Sequence, residues 1–428
     1  MTRYNSFIFK NYVFDKDQRS LRLTYSFDND LEFNETFKFD FDFAQYNPGA
    51  LDKACQLLFF LAGVSYYKAY LVNKIKIEFG QINKLLSEFL DKTYQKGLGE
   101  FFYVNKLDPN TPICFPVNSD SYDTQATGSG EGLLVGIGGG KDSLVSVELL
   151  RGKVDKLATW SVGHKPQLQP LVTRIGLPHF WVERDWDKSL LEHNLRGSLN
   201  GHIPISAIFA ATGVIVAILS GYKDVVVSNE HSANEPTLNY DGTAINHQYS
   251  KSQEFEEDMQ KILAQVFGDR VRYYSSLRPY SELRVAEIFA TVGFDKYQDV
   301  FSSCNRAFTH DSHHIFWDGT CPKCAFVFLA LTPFLERQKL EHLFGGKNLL
   351  LDPSLEATYK NLLGIEGDKP LECVGEIKES RSAMELAKKI YPELGKYQYE
   401  LPADYNYREV FRHSMPPEIY SILQNALS

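Results

Sequence analysis

The stretch Leu133-Leu134-Val135-Gly136-Ile137-Gly138-Gly139-Gly140-Lys141-Asp142-Ser143-Leu144-Val145-Ser146-Val147-Glu148-Leu149-Leu150 passes from an apolar run, through three glycines, into an amphipathic run. Leu133 to Ile137 is short, branched and apolar, as a buried strand requires, and the residues from Leu144 have the spacing of a helix. Glycines at 138, 139 and 140 permit positive φ angles and let backbone approach a ligand closely. Unpaired N–H groups at the helix start, with the helix dipole, favour an anion there. Lys141 and the Ser143 hydroxyl are placed to contact that anion, and Asp142 to orient a lysine or a magnesium ion. The bland alternative is a tight strand-to-helix turn without a ligand.

Working outward, strand-like runs recur at Leu157 to Val162, His179 to Glu183 and Val225 to Ser228, with helical stretches between them. This alternation predicts an α/β domain with a parallel sheet covered on both faces, and ligands in such sheets sit at the carboxyl ends of the strands. Upstream, Phe37, Phe39, Phe41 and Phe43 alternate with polar residues, which predicts a half-buried antiparallel strand. Apolar positions from Leu51 to Tyr70 recur every three or four residues and predict a helix on that sheet. The expected organisation is a smaller α+β domain at 1–117, a polar linker at 118–131, the glycine-loop domain at 132–351 and a helical extension at 352–428. Within these, Lys323 to Gln338 and Glu376 to Ile390 are expected to be helical.

The chain has 428 residues, 43% of them apolar, enough for a large core. Its net charge of -9 is spread along the sequence without a basic block, so nucleic acid is not the expected partner. Ile203 to Leu219 is the most apolar segment, but Pro204, Ser206, Thr212 and Gly213 interrupt it, and a buried helix is expected rather than a membrane span. Met1 to Ser6 lacks the pattern of a secretory signal, and six scattered cysteines suit a reducing compartment, so a cytoplasmic protein is expected.

The loop lacks the spacing of the common P-loop. It resembles the Ser-Gly-Gly-x-Asp-Ser loop of the PP-loop ATP pyrophosphatases, with Gly138 in place of the usual serine. More of the chain is similar to the ATP-dependent epimerases that act on UDP-N-acetylmuramoyl-L-alanyl-L-glutamate in cell-wall synthesis. That similarity lies in Leu61 to Lys68, in Gly97-Leu98-Gly99-Glu100-Phe101, and in the loop itself. It continues in Ser228-Asn229-Glu230-His231-Ser232-Ala233, Asn246-His247-Gln248-Tyr249-Ser250-Lys251-Ser252, Cys321-Pro322-Lys323-Cys324 and Lys369 to Gly375. The resemblance implies that ATP, with Mg2+, adenylates the terminal glutamate's α-carboxylate, so that the Cα proton can leave and return on the other face. Other PP-loop activities remain alternatives: a ligase, an amidotransferase, a tRNA-modifying enzyme, or a nucleotide-binding protein without turnover.

The segment from Ser228 to Ser252 should emerge at the ligand end of the sheet. Asn229 and Glu230 lie where an adenylation site needs polar groups or a metal ligand, and His231, His247 and Lys251 are candidates for the substrate's carboxylates or diphosphate. Asn246, Gln248, Tyr249 and Ser250 complete the expected substrate-binding set, against the alternative of a solvated loop. Cys321 and Cys324 form a Cys-x-x-Cys pair with Cys304, His310, His313 and His314 upstream. Three readings stay open: a structural zinc site that includes Cys304, Cys321 and Cys324; thiols acting at Cα, with Cys304 or Cys373 serving one face; and buried inert thiols.

Overall fold

The computed structural model describes residues 4–120, 130–308, 312 and 314–427. Five parallel strands build the expected α/β sheet: β5 (Leu133–Gly136), β6 (Leu157–Val162), β7 (His179–Asp185), β8 (Asp224–Val227) and β11 (Arg272–Ser275). The last of these has no apolar run to mark it in the sequence, because its four residues are Arg272, two tyrosines and Ser275. Numbered along the chain, the parallel strands lie in the order third, second, first, fourth, fifth. The chain therefore moves one way from β5 and later returns to its other side, which opens a crevice at the carboxyl end of β5.

Four further strands, β1 (Ser6–Asp15), β2 (Ser20–Phe27), β3 (Leu31–Asp40) and β4 (Lys74–Ile77), continue the same sheet rather than forming a separate one. Antiparallel pairing of β3 with β7, with Phe37 opposite Arg184 and Phe39 opposite Val182, makes the junction. Phe33, Phe37 and Phe39 are buried along β3, whereas Phe41 and Phe43 lie beyond its end and are partly buried. Across the seam, Arg184 pairs with the fully buried Glu35 and donates to Ser65 Oγ at 2.9 Å. Burying each ring contributes roughly 2–3 kcal/mol, whereas a buried ion pair is close to neutral against an apolar replacement. The rings hold the junction together, and the ion pair selects its register.

Helices cover both faces. Alternate side chains of β5 divide the core: Leu134 packs with α1 (Pro48–Ala62) and a helix α5 (Ile205–Ser220) on one face, and Leu133 and Val135 pack with α3 (Lys141–Leu150) and α4 (Lys165–Ile175) on the other. Helix α2 (Lys84–Gly97) packs against α6 (Gln253–Phe267) on the first face. The second face also receives α7 (Glu282–Val292), α8 (Pro322–Leu331), α9 (Ile377–Lys388) and α10 (Pro417–Leu427), the last packed on α3. Caps set several starts: Asn47 accepts from Ala50 N ahead of Pro48, Ser252 from Phe255 N, and Ser281 from Arg284 N.

Two helices are shorter than their periodicity implied. The first stops at Ala62, before Gly63, and α8 stops at Leu331, because Pro333 cannot donate to a continuing helix. The apolar Ile203 to Leu219 segment is the buried α5, and no described helix is long and apolar enough to cross a membrane. Of the expected linker, residues 121–129 lie outside the described residues.

Candidate active site

Beyond β5 the glycine loop opens onto a cavity of about 520 Å3. Gly136, Val162 and Val227, which end β5, β6 and β8, all line it, so it occupies the crevice that the strand order creates. Gly139 has φ +94°, and a Cβ there would come within 2.5 Å of the Phe308 ring. Only glycine suits that position. At Gly140, the N-cap of α3, no side chain occupies the helix N-terminus, and Gly138, Gly140, Asp142 and Ser143 face the cavity. First-turn N–H groups are thereby left for a ligand. Ser143 Oγ donates to the Gly140 carbonyl at 3.2 Å and braces the turn.

Lys141 departs from expectation. Its side chain is 1% exposed, and its ammonium donates to Asp142 Oδ1 at 2.5 Å and Glu282 Oε1 at 2.7 Å. The loop lysine thus ties α3 to α7 beneath the turn instead of reaching into the cavity, and its buried charge is held by two carboxylates. Asp142, Glu230 and Glu282 bring one carboxylate oxygen each to within 4.8 Å of one another. Burial, then Glu282 and Asp142, push the Glu230 carboxyl up to about 8. Burial opposes ionisation of Glu282 as well, but Lys141 and Lys323 outweigh it and hold that carboxyl down at about 2. Carboxylates beside an anion cradle repel a phosphate unless a cation lies between them, so this trio suits a divalent ion with oxygen ligands.

The polar segment after β8 is fixed from inside by Arg278, which is fully buried. Its guanidinium pairs with Glu256 at 3.0 Å and donates to the carbonyls of Glu230 at 2.7 Å and Lys251 at 2.6 Å. One side chain therefore clamps both ends of a segment whose middle is the hairpin of β9 (Leu238–Tyr240) and β10 (Thr243–Ile245). Asn229, Glu230, Gln248 and Lys251 line the cavity as expected of a ligand-binding loop. His231 does not: its ring stacks on Phe411 at 3.7 Å, and burial lowers its pKa to about 4. Asn246 is spent on the turn, donating to the Ala233 carbonyl at 2.9 Å and accepting from Gln248 N at 2.7 Å. Tyr249 and Ser250 are buried, the tyrosine edge-on to Phe255.

His247 serves a second centre. Its Nδ1 pairs with Glu100, from the Gly97 to Phe101 stretch, and its ring lies 4.5 Å from that of His202. Hydrogen bonds with Cys373 and Glu100 overcome burial and carry His247 up to about 9. Cys373, from the segment leading into α9, lines the cavity with its sulfur 3.2 Å from Lys251 Nζ. Burial raises its pKa, but Lys251, the His247 hydrogen bond and Lys323 together bring the thiol down to about 6. The cations around it favour the thiolate, the form in which cysteine acts as base or nucleophile.

Glu282, Cys373 and Glu100 are thus the contributors that reading by motif undervalued. Glu282 follows an ordinary N-cap serine and carries no local signal. The reading of thiols acting at Cα already includes Cys373, and Glu100 lies in the Gly97 to Phe101 motif without a role assigned to it. Cys304, Cys321 and Cys324 do converge, all buried, and with Asp318 they form a separate cluster. Asp318 stands three residues before Cys321, a spacing open to notice beforehand. His314 is exposed, and His310 and His313 lie outside the described residues.

Comparison with known proteins identifies the family. The family profile described as the MurL N-terminal domain matches residues 1–276, and that of the MurL C-terminal domain matches residues 300–394. A UDP-N-acetyl-alpha-D-muramoyl-L-alanyl-L-glutamate epimerase of Xanthomonas oryzae pv. oryzae is 40% identical over 392 residues, covering 89% of this chain and 85% of that protein. Like-named epimerases of Salinispora tropica and a Micromonospora strain are 36% identical over 90% of this chain and 85% of that protein, and 38% identical over 78% of this chain and 75% of that protein. Both matched segments contribute to the cavity, the first through the glycine loop and the second through Lys323 and Cys373, and the chain belongs to the MurL family.

Proposed function

We propose that the protein inverts the terminal glutamate of UDP-N-acetylmuramoyl-L-alanyl-L-glutamate in peptidoglycan precursor synthesis, using ATP and Mg2+ through an acyl-adenylate. The observation that carries the reading is the meeting, in one cavity, of an anion cradle with the Asp142 and Glu230 carboxylates, backed by the buried Glu282, and the Cys373 sulfur beside Lys251. The doubly wound strand order and the loop after its first strand support a PP-loop-like assignment.

In this reading the Gly138 to Ser143 turn holds ATP phosphates, and Asp142, Glu230 and Glu282 would hold the Mg2+, whose charge would offset that of the phosphates. The glutamate α-carboxylate oxygen attacks the α-phosphorus, and pyrophosphate leaves with the bonding pair. The mixed anhydride lacks the carboxylate's negative charge, so an enolate forming at Cα no longer places a second charge beside a first. Cys373 thiolate takes the Cα proton on one face, and Lys251 and His247 stabilise the charges on either side of that transfer. Return of a proton to the opposite face gives the D-configuration, and water cleaves the anhydride to the carboxylate and AMP.

The test is incubation with ATP, Mg2+ and the muramoyl dipeptide in deuterated water, with chiral analysis of glutamate and assay of AMP. D-Glutamate carrying deuterium at Cα, formed together with AMP, is expected. AMP without inversion, or AMP formed only with a different acid, would overturn the reading in favour of another adenylating activity.

A further inference from the structure

We infer that Cys304, Asp318, Cys321 and Cys324 bind one zinc ion, and that the ion fastens a wall of the cavity. Each of the four offers one ligand atom, and the four atoms lie within 4.8 Å of one another. Cys304 and Cys321 sulfurs are 4.0 Å apart. A tetrahedral zinc with sulfur at about 2.3 Å sets its thiolates roughly 3.8 Å apart. A disulfide needs about 2.05 Å. An iron–sulfur cube spreads its thiolates around four irons and does not fit so tight a set of ligand atoms.

Local structure places these ligands without a metal having to collect them. Cys321 is the N-cap of α8, and its sulfur accepts from Cys324 N at 3.4 Å, so both cysteines of the pair sit at the positive end of a helix that favours thiolates. Asp318 Oδ1 accepts from Thr320 N at 3.0 Å and Cys321 N at 3.2 Å, while Arg306 pairs with Oδ2 at 2.8 Å. These bonds orient the carboxylate as outer partners orient a metal ligand. All three sulfurs are buried, and three thiolates with one carboxylate select zinc over the hard cations suited to the carboxylate trio.

Its position gives the ion a role. On the Cys304 side, Ser302 N donates to the Gly139 carbonyl at 3.0 Å, and Ser303 and Phe308 pack against Gly140 and Gly139. On the α8 side, Lys323 lines the cavity 3.9 Å from Glu282 and donates to the Cys373 carbonyl. Zinc joins these two pieces, with four ligands from the protein and no open position.

Protein purified without a histidine tag, from medium supplemented only with trace metals, is expected to hold about one zinc per chain by elemental analysis. Cobalt-substituted protein should show thiolate-to-cobalt charge transfer and the visible bands of a tetrahedral site. A strong chelator should lower the unfolding temperature and free three thiols to titrate. Asp318→Asn keeps the cysteines and should weaken retention against a competing chelator by more than the roughly 10–100-fold that loss of a ligand's outer partner costs; Cys321→Ser should abolish it. If the folded wild type holds no zinc and its unfolding is indifferent to chelator, the inference fails. A Cys304–Cys321 disulfide or iron with labile sulfide would overturn it equally.

Discussion

The two polar centres of the cavity are built on opposite charge logic. Around the glycine loop three carboxylates meet the buried ammonium of Lys141, with Lys323 3.9 Å from Glu282, and suit a further cation beside an anion. Around Cys373 one sulfur meets cations, Lys251 at 3.2 Å and a His247 whose charge Glu100 supports. The first arrangement gathers negative charge and suits a cation; the second gathers positive charge around one sulfur. Lys251 feels both Cys373 and Glu230, so the centres adjoin.

The sharpest way to separate them is to disable one and read the other. Asp142→Asn keeps the volume and a hydrogen bond but removes a carboxylate from the proposed Mg2+ site, and it is expected to lower both AMP release and inversion about 10³-fold, measured in single turnovers. Cys373→Ser should lower inversion and deuterium exchange at Cα by about 10²–10⁴-fold, while ATP–pyrophosphate exchange stays within a few-fold. If Cys373→Ser silences both half-reactions equally, the two centres are one and the comparison collapses.

The smallest expected effect is on pH dependence. Below about 6 the Cys373 thiolate takes a proton and cannot accept one from carbon, so inversion should fall tenfold per pH unit on the acid side of that value while adenylation does not follow it. Glu100→Gln withdraws support from the His247 imidazolium, which weakens its hold on the thiolate. The acid limb of inversion should then move upward, by about one unit or less. A limb that stays in place would remove Glu100 from the site.

Much of the sheet was legible because strands and helices write their burial into local spacing. The β5 run, the glycines and the start of α3 needed no information beyond their own neighbours, and Leu157–Val162 appears as read. Errors came where a local cue had two meanings. A polar segment dense in His, Asn and Tyr does not tell which side chains face a ligand, and His231, Asn246 and Tyr249 turned inward to build the segment itself. Lys141 was read from its place beside the glycines, yet a buried partner from α7 decided its direction.

By itself the sequence determined the strand–glycine–helix unit, the parallel sheet it belongs to and the Cys-x-x-Cys pair, because each is a pattern within a few residues. Tertiary structure alone decided the active-site company. Lys141 meets Glu282 across 141 positions, Lys251 meets Cys373 across 122, and His247 meets Glu100 across 147. Such pairs depend on the order of strands in the sheet and on which faces are buried together, and the pattern of neighbouring residues carries no record of either.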